Sequence, residues 1–169
     1  MPTPAVIRRA TAADAVSLWD LRSAAIDHGC RTHYAGELID AWLATPMPAS
    51  FGNRLEREPF LLAVDRDAIV GFAGLKLGTR ELDALFVHPQ HAGRGHGQHL
   101  LREAEQLARQ LGLHELHLKA SLNAVAFYEA AGYRIGEAGV HITGTGLRIG
   151  CRNMDKRLKA DDAPPRDAT

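Results

Sequence analysis

The sequence predicts a mixed α/β fold, and two arrangements of apolar segments carry the prediction. Residues 59–64 and 68–75 are apolar runs separated only by Asp65-Arg66-Asp67, a connection that is typical of an antiparallel hairpin. A later apolar strand ends at Pro89 and leads through a glycine-rich turn into a helix with one apolar face. The hairpin argues against a purely parallel sheet, so we expect a mixed sheet flanked by helices.

The first half of the chain is predicted to contain one strand and then three helical segments. Residues 5–9 form the first strand, and residues 11–14 resemble a capping box with Asp in place of Glu. The helix that follows should end near Gly29. Further helical segments are expected over residues 36–44 and 48–58, between proline breaks.

The second half is predicted to alternate strands and helices. A strand over residues 81–87 precedes the glycine-rich turn and its helix, and a short strand over residues 113–118 is followed by a helix over residues 121–130. The segments 133–137 and 147–154 should pair as the last two strands. Residues 1–158 are expected to form a single domain and residues 159–169 a disordered tail, since the tail has nothing to bury.

Composition narrows the class of protein. A chain of 169 residues with 46% hydrophobic side chains is long enough for one core and short for two. Twenty basic and twenty acidic side chains cancel, so neither nucleic acid nor an anionic membrane is expected as a partner. Cys30 and Cys151 lack the spacing of metal ligands, and no leader-like start or membrane-length apolar run is present. These features predict a soluble cytoplasmic protein.

The glycine-rich turn predicts an anion-binding site. Glycine lets the backbone approach a ligand closely, and a helix start offers unpaired N–H groups and the positive end of the helix dipole. The ligand should therefore carry phosphate. A P-loop would need Lys and then Ser or Thr after Gly97, where Gln98 and His99 stand, and the spacing Gly93-x-Gly95-x-Gly97 is one residue short of a dinucleotide fingerprint.

Two segments, in this order, resemble the acetyl-CoA signature and the C-terminal motif of the GNAT family of N-acetyltransferases. They are residues 85–101, Leu-Phe-Val-His-Pro-Gln-His-Ala-Gly-Arg-Gly-His-Gly-Gln-His-Leu-Leu, and residues 121–133, Ser-Leu-Asn-Ala-Val-Ala-Phe-Tyr-Glu-Ala-Ala-Gly-Tyr. The resemblance extends over residues 5–158 and implies a central, mostly antiparallel twisted sheet of about seven strands flanked by helices. One position departs, because the family usually has Gln or Arg where this chain has Ala92.

The resemblance implies that acetyl-CoA is the cosubstrate. Backbone amides of the loop would bind its pyrophosphate, and the strand before the loop would hydrogen-bond the pantetheine arm, with a bulge that points one N–H at the thioester oxygen. Tyr128 would be the general acid, since a phenol with a reference pKa of about 10 is protonated at neutral pH. The cofactor-binding residues expected are Leu85, Phe86, Val87, Gly93, Arg94, Gly95, His96, Gly97, Gln98, Asn123 and Tyr128.

Several residues are candidates for the general base. Glu81 and Asp83 lie just before the loop, and on a regular strand they share one face with Leu85 and Val87. A positioned carboxylate of this kind can accept the proton of an amine directly or through a water. Family analogy favours Glu81 over Asp83, while His28, His33 or His141 could replace both.

A metal site is not expected. His88, His91, His96 and His99 cluster around the loop, but only His96 and His99 have a helical i, i+3 relation, and no carboxylate or cysteine joins them at a fitting spacing.

Taken with the resemblance, these residues predict an acetyl-CoA-dependent N-acetyltransferase that acts on a primary amine of a small molecule or peptide by direct transfer in a ternary complex. The polar loop after the first helix would wall the acceptor site, with His28, His33 and Tyr34 as substrate contacts. The alternative is a GNAT-like module that binds an acyl-CoA as a regulatory ligand without turnover. The C-terminal hairpin could also pair with a second copy in a homodimer.

Overall fold

The computed structural model describes residues 4–159. Residues 160–169, nearly all of the predicted tail, lie outside the described part of the chain. Short 3-10 turns precede the first, fourth and fifth helices. In chain order the longer elements are β1 (Val6–Arg9), α1 (Ala15–Gly29), α2 (Gly36–Leu43), α3 (Phe51–Arg57), β2 (Phe60–Asp65), β3 (Ala68–Lys76), β4 (Glu81–Val87), α4 (His96–Gln110), β5 (Glu115–Ser121), α5 (Val125–Ala130), β6 (Arg134–Ile142) and β7 (Arg148–Arg157).

The strands form one seven-stranded sheet in the order β1-β2-β3-β4-β5-β7-β6. Every neighbouring pair is antiparallel except β4 and β5, which are parallel. The expected mixed, mostly antiparallel sheet is therefore confirmed. The predicted β2–β3 hairpin turns through Arg66 and Asp67, whose φ angles of 50° and 66° are the positive values that the tightest hairpin turns require.

The parallel pair β4 and β5 is joined at one point only. Glu81 pairs with His117, and the amide of His117 donates to the carbonyl of Arg80 at 2.9 Å. No further pairing joins the two strands within residues 4–159, although β4 continues to Val87 and β5 to Ser121. The sheet is thus open beyond Glu81, and the backbone groups of β4 on this side have no strand partner.

A β-bulge at Asp83 changes which residues of β4 share a face. Gly74 of β3 pairs with Ala84 and Leu75 pairs with Leu82, so that Asp83 is the extra residue. The expected common face for Asp83 and Leu85 is therefore wrong. Leu82 and Leu85 both pack in the cluster beneath α4, whereas Ala84 and Phe86 pack on the opposite side with α1 and α3.

Apolar clusters cover both faces of the sheet. On one face α4 buries the stripe that the sequence predicts, formed by Leu100, Leu101, Ala104 and Ala108, while Leu111 at the end of the helix is 48% exposed. On the other face Leu18 and Leu21 of α1 pack with α3 and with Phe60 and Phe72 of the sheet. Among the described residues no helix has both the length and the apolar character that crossing a bilayer requires.

A buried ion pair joins α4 to β7. Lys156 donates to both carboxylate oxygens of Glu105, at 2.8 and 2.9 Å, and to the carbonyl of Ala131 at 2.8 Å. The Glu105 side chain is only 4% exposed, so Lys156 rather than water is its main polar partner. Removing one partner of a buried pair is costly because the remaining charge is left without water or a counterion.

We expect Lys156→Met to lower the free energy of unfolding by about 3 kcal/mol, as measured by urea denaturation. The double variant Glu105→Met with Lys156→Met should recover most of that loss, because no buried charge then remains. Arg134→Met is the control, since Arg134 pairs with Asp155 on the surface with 78% of its side chain exposed. If Lys156→Met and Arg134→Met lowered the free energy of unfolding equally, the buried pair would not be the stabilising contact that we describe.

Candidate active site

The opening between β4 and β5 contains a cavity of about 340 Å³. Its walls combine the opened strands, the C-terminal end of α1 and the start of α5. Because β4 is unpaired here on the side that faces β5, the backbone of β4 borders the cavity together with the side chains. The lining includes Ala25, Ile26, His28, Cys30, Tyr34, Trp42, the run from Leu82 to Val87, Pro89, Ala92, Leu118, Lys119, Ser121, Asn123, Tyr128, His141 and Cys151.

A second cavity of about 280 Å³ adjoins the first on the side of α1 and α3. Trp42, Asp83, Ala84, Phe86 and His141 belong to both linings, so the two spaces share one wall. We call the first the central cavity and the second the lateral cavity. A two-substrate reaction could place one substrate in each.

The glycine-rich turn has the backbone geometry of an anion site. Gly93 and Gly95 have φ angles of 76° and 83°, values that strain any residue with a Cβ atom. The first helical hydrogen bond of α4 runs from the amide of His99 to the carbonyl of Gly95 at 3.0 Å. The amides of residues 96–98 therefore precede the helical ladder and are available to a ligand.

Basic side chains surround this helix start. Arg94, Gly95, His96 and Gln98 line an open groove of about 1070 Å³, together with Arg66, His91, His99 and Arg102. The groove can therefore complement a phosphate by charge as well as by backbone donors. Within residues 4–159 no group of three or more His, Cys, Asp or Glu side chains is arranged to hold a metal ion.

Tyr128 lies on α5 and is 7% exposed at the wall of the central cavity. Its ring packs edge-on against Phe127 and Tyr133, with centroid distances of 5.1 and 5.6 Å. Burial raises the pKa of the Tyr128 phenol, because the phenolate would lose its hydration. The phenol therefore keeps its proton at neutral pH. Asn123 also lines the cavity, and its Oδ1 accepts a hydrogen bond from Cys30 Sγ at 3.3 Å.

The two carboxylates predicted as bases lie in different environments. Asp83 lines both cavities and is held by two cations, with Arg54 at 2.7 Å and Lys76 at 3.3 Å. Glu81 belongs to neither lining and borders a separate small groove with His117 and other β5 and β7 residues. Only Leu82 separates them along β4, yet the two carboxylates line different spaces.

His141 on β6 lines both cavities. Its ring lies 6.4 Å from that of Trp42, measured between centroids. His141 is exposed as a residue, but the protein packed beside its ring lowers the pKa of the imidazole below the ordinary value, because the protonated ring loses part of its hydration. The charge of Asp83 opposes this shift, while the charges of Lys119, Arg22 and Lys76 add to it. The ring is therefore neutral at physiological pH and can accept a proton.

The predicted acceptor residues divide into three cases. His28 lines the central cavity from an exposed position. Tyr34 lines it too, but its hydroxyl is already used, since it donates to the Gly150 carbonyl at 2.6 Å and accepts from the Leu122 amide at 3.0 Å. His33 is exposed, forms a hydrogen bond with the Thr32 hydroxyl, and lines neither cavity.

Some residues of the lateral cavity were not found from the sequence. Trp19 and Arg22 stand three residues apart on one face of α1, and this i, i+3 spacing is the signal that could have paired them. Trp42 of α2 borders both cavities. Sequence spacing cannot show that α1, α2 and β6 converge on one space.

Solved structures with the same fold come from several organisms. A GCN5-related N-acetyltransferase of Rhodopseudomonas palustris is 29% identical, with a TM-score of 0.83 over 94% of this chain and 98% of that one. PaiA N-acetyltransferase of Thermoplasma acidophilum, solved with coenzyme A, is 22% identical, with a TM-score of 0.68 and coverage of 92% and 99%. YncA of Salmonella typhimurium, solved with acetyl-CoA, is 22% identical, with a TM-score of 0.64 and coverage of 98% and 100%.

The sequence profile of the acetyltransferase (GNAT) family matches residues 25–133, which include β4, the glycine-rich turn, α4 and α5. The chain therefore belongs to the GNAT family of acetyltransferases. No protein among the curated sequences matches it significantly.

Proposed function

We propose that the protein is an acetyl-CoA-dependent N-acetyltransferase that transfers acetyl directly to a primary amine in a ternary complex. The observation that carries the proposal is the opening between β4 and β5, which leads to Tyr128 and His141 in one cavity. Family membership and the coenzyme A and acetyl-CoA complexes of PaiA and YncA support it.

The described residues fit a CoA thioester from end to end. Amides of residues 93–98 would hold the pyrophosphate, with Arg94 as a charged contact. Pantetheine is a chain with two amide groups, and the unpaired backbone of Leu85, Phe86 and Val87 offers it the hydrogen bonds that β5 does not make. Asn123 would border the same arm from the other wall. Ala92 stands where the family usually has Gln or Arg, but this difference in side chain leaves the backbone donors of the loop unchanged.

The bulge at Asp83 is the candidate for orienting one N–H of β4 toward the thioester oxygen. A residue outside the regular pairing pattern is free to point its amide away from the ladder. From the family resemblance we expected such a bulge within Leu85–Val87, whereas the bulge in the structure is at Asp83.

Tyr128 and His141 would divide the proton transfers. The amine nitrogen attacks the thioester carbonyl carbon and gives its proton to the neutral imidazole of His141. The carbon–sulfur bond then breaks, and the sulfur takes the proton of the Tyr128 phenol. Asp83 is paired with Arg54 and Lys76 and is better suited to balance charge near His141 than to accept the proton. Glu81 is less well placed, since it lines neither cavity.

Gly95→Ala should weaken CoA binding about tenfold, because a Cβ atom disfavours the left-handed backbone that presents the loop amides. Isothermal titration with CoA measures the effect. Gly112→Ala is a matched control: φ is 87° there, an added Cβ meets nothing within 4 Å at either glycine, and Gly112 lies just beyond the other end of α4. Equal weakening in both variants would show that the loop amides are not the binding groups.

Tyr128→Phe should reduce thiol release from acetyl-CoA, in the presence of an accepted amine, about a hundredfold without changing CoA affinity. The control is Tyr133→Phe, because Tyr133 is the neighbouring buried phenol and does not line the central cavity. CoA binding with no thiol release for any amine in a panel of amino acids, polyamines, aminoglycosides and short peptides would instead favour the regulatory module.

His141→Gln should lower kcat about a hundredfold and remove the acidic limb of its pH profile. The imidazole must be neutral to act, so the wild-type rate should be full above its pKa and fall as the pH drops through it. Because the surroundings lower that pKa, the fall belongs below about pH 6.5. His33→Gln should leave both rate and profile unchanged. If the acidic limb of the pH profile were still present in His141→Gln, another group would be the proton acceptor.

A further inference from the structure

The guanidinium of Arg22 borders the lateral cavity within a frame of aromatic rings. Its Cζ lies 4.2 Å from the centroid of the Trp19 ring and 6.0 Å from that of Trp42. Both indoles line the same cavity as Arg22. The two indole rings hold the Arg22 guanidinium in one orientation, and they do not neutralise its charge.

Arg22 differs from the other cations of this cavity because no carboxylate pairs with it in the part of the chain that the structure describes. Arg54 contacts Glu58 and Asp83, at 2.9 and 2.7 Å, and Lys76 contacts Asp83 at 3.3 Å. Asp83 is the one carboxylate that lines either cavity among residues 4–159, and both of its oxygens are engaged by these partners. Burial lowers the pKa of Arg22 to about 10, so it remains charged at neutral pH.

Two donors beside the lateral cavity are buried without an acceptor. Arg22 Nη1 and Trp42 Nε1 have no hydrogen-bond partner among the described residues. Trp42 is 7% exposed, so water has little access to its N–H. Buried donors are nearly always satisfied in folded proteins, and a pair of them at one cavity calls for an acceptor from a ligand.

We infer that Arg22 and Trp42 bind a carboxylate of the acceptor, and that the acceptor is therefore an amino acid. The inference rests on the proposed function, whose acceptor it specifies.

The positions of the groups suit one small molecule. Arg22 Cζ and the His141 ring both lie beside the Trp42 ring, 6.0 and 6.4 Å from its centroid, so one small molecule in this part of the cavity can meet both groups. The rest of the lining includes Phe51, Phe60, Phe72 and Phe86, which favours an apolar side chain. Polyamines and aminoglycosides fit poorly, because Arg22 and Lys119, which no carboxylate pairs with among the described residues, would repel a polycation.

The test compares acceptors that differ only at the carboxyl group: phenylalanine and methionine, their amides, and the corresponding decarboxylated amines. Thiol release by wild-type protein should show kcat/KM about 30-fold or more higher for each amino acid than for its amide, the size expected when a buried charge loses its partner. Arg22→Met should lower kcat/KM for each amino acid to about that of its amide and so remove this preference, while Arg22→Lys should keep part of it. Arg31→Met is the control, since Arg31 pairs with Asp27 and Asp40 and lines neither cavity.

A binding measurement separates this inference from the proposed function. Both tryptophans of the chain lie beside Arg22, so intrinsic fluorescence of the CoA-saturated protein reports directly on ligand in the lateral cavity. Saturable binding of phenylalanine or methionine, but not of their amides, supports the inference even if no thiol is released, in which case the catalytic proposal fails alone. Equal binding or equal turnover of acids and amides overturns it, as does an equal loss for both in Arg22→Met.

Discussion

The divergence of β4 and β5 after a single pair, Glu81 with His117, is the constraint on which the site depends. A sheet that pairs throughout would leave no space between these strands and no unsatisfied backbone along Leu85 to Val87. The opening is supported from outside by cross-links between distant segments. The Tyr34 hydroxyl joins the loop after α1 to β7 and to the end of β5, and Cys30 is bonded to Asn123. The cavity thus results from the sheet topology, and these side-chain hydrogen bonds stabilise it.

One physical cause acts on both groups that we propose for proton transfer. Removal of water from a titratable group favours its neutral form, so the surroundings raise the pKa of the Tyr128 phenol and lower the pKa of the His141 imidazole. The neutral phenol is an acid that keeps its proton until a thiolate forms, and the neutral imidazole is a base with its lone pair available. Their opposite roles need no opposite environments, because one group is neutral when protonated and the other when deprotonated.

Charge in the site is distributed unevenly although the chain as a whole has none in excess. Asp83 is shared by Arg54 and Lys76, while Arg22 is held between indoles with no acid beside it in the described chain. An uncompensated cation near a cavity costs desolvation energy that an anionic ligand can recover. The balanced overall composition predicts no nucleic-acid partner, but it carries no information about this local positive field.

The sequence by itself determined the local features: the hairpin between β2 and β3, the buried stripe of α4, the glycine-rich helix start, and membership of the GNAT family through two motifs. These depend on residues that are near one another in the chain, so spacing and residue type are sufficient to predict them. Only the tertiary structure decided the bulge at Asp83, the different spaces that Asp83 and Glu81 line, the exposed position of His33, and the meeting of Arg22, Trp42 and His141 at one cavity. The physical reason is that register and packing between distant segments set these positions, and a one-residue change in register moves a side chain to the other face of a sheet without leaving any mark in the sequence.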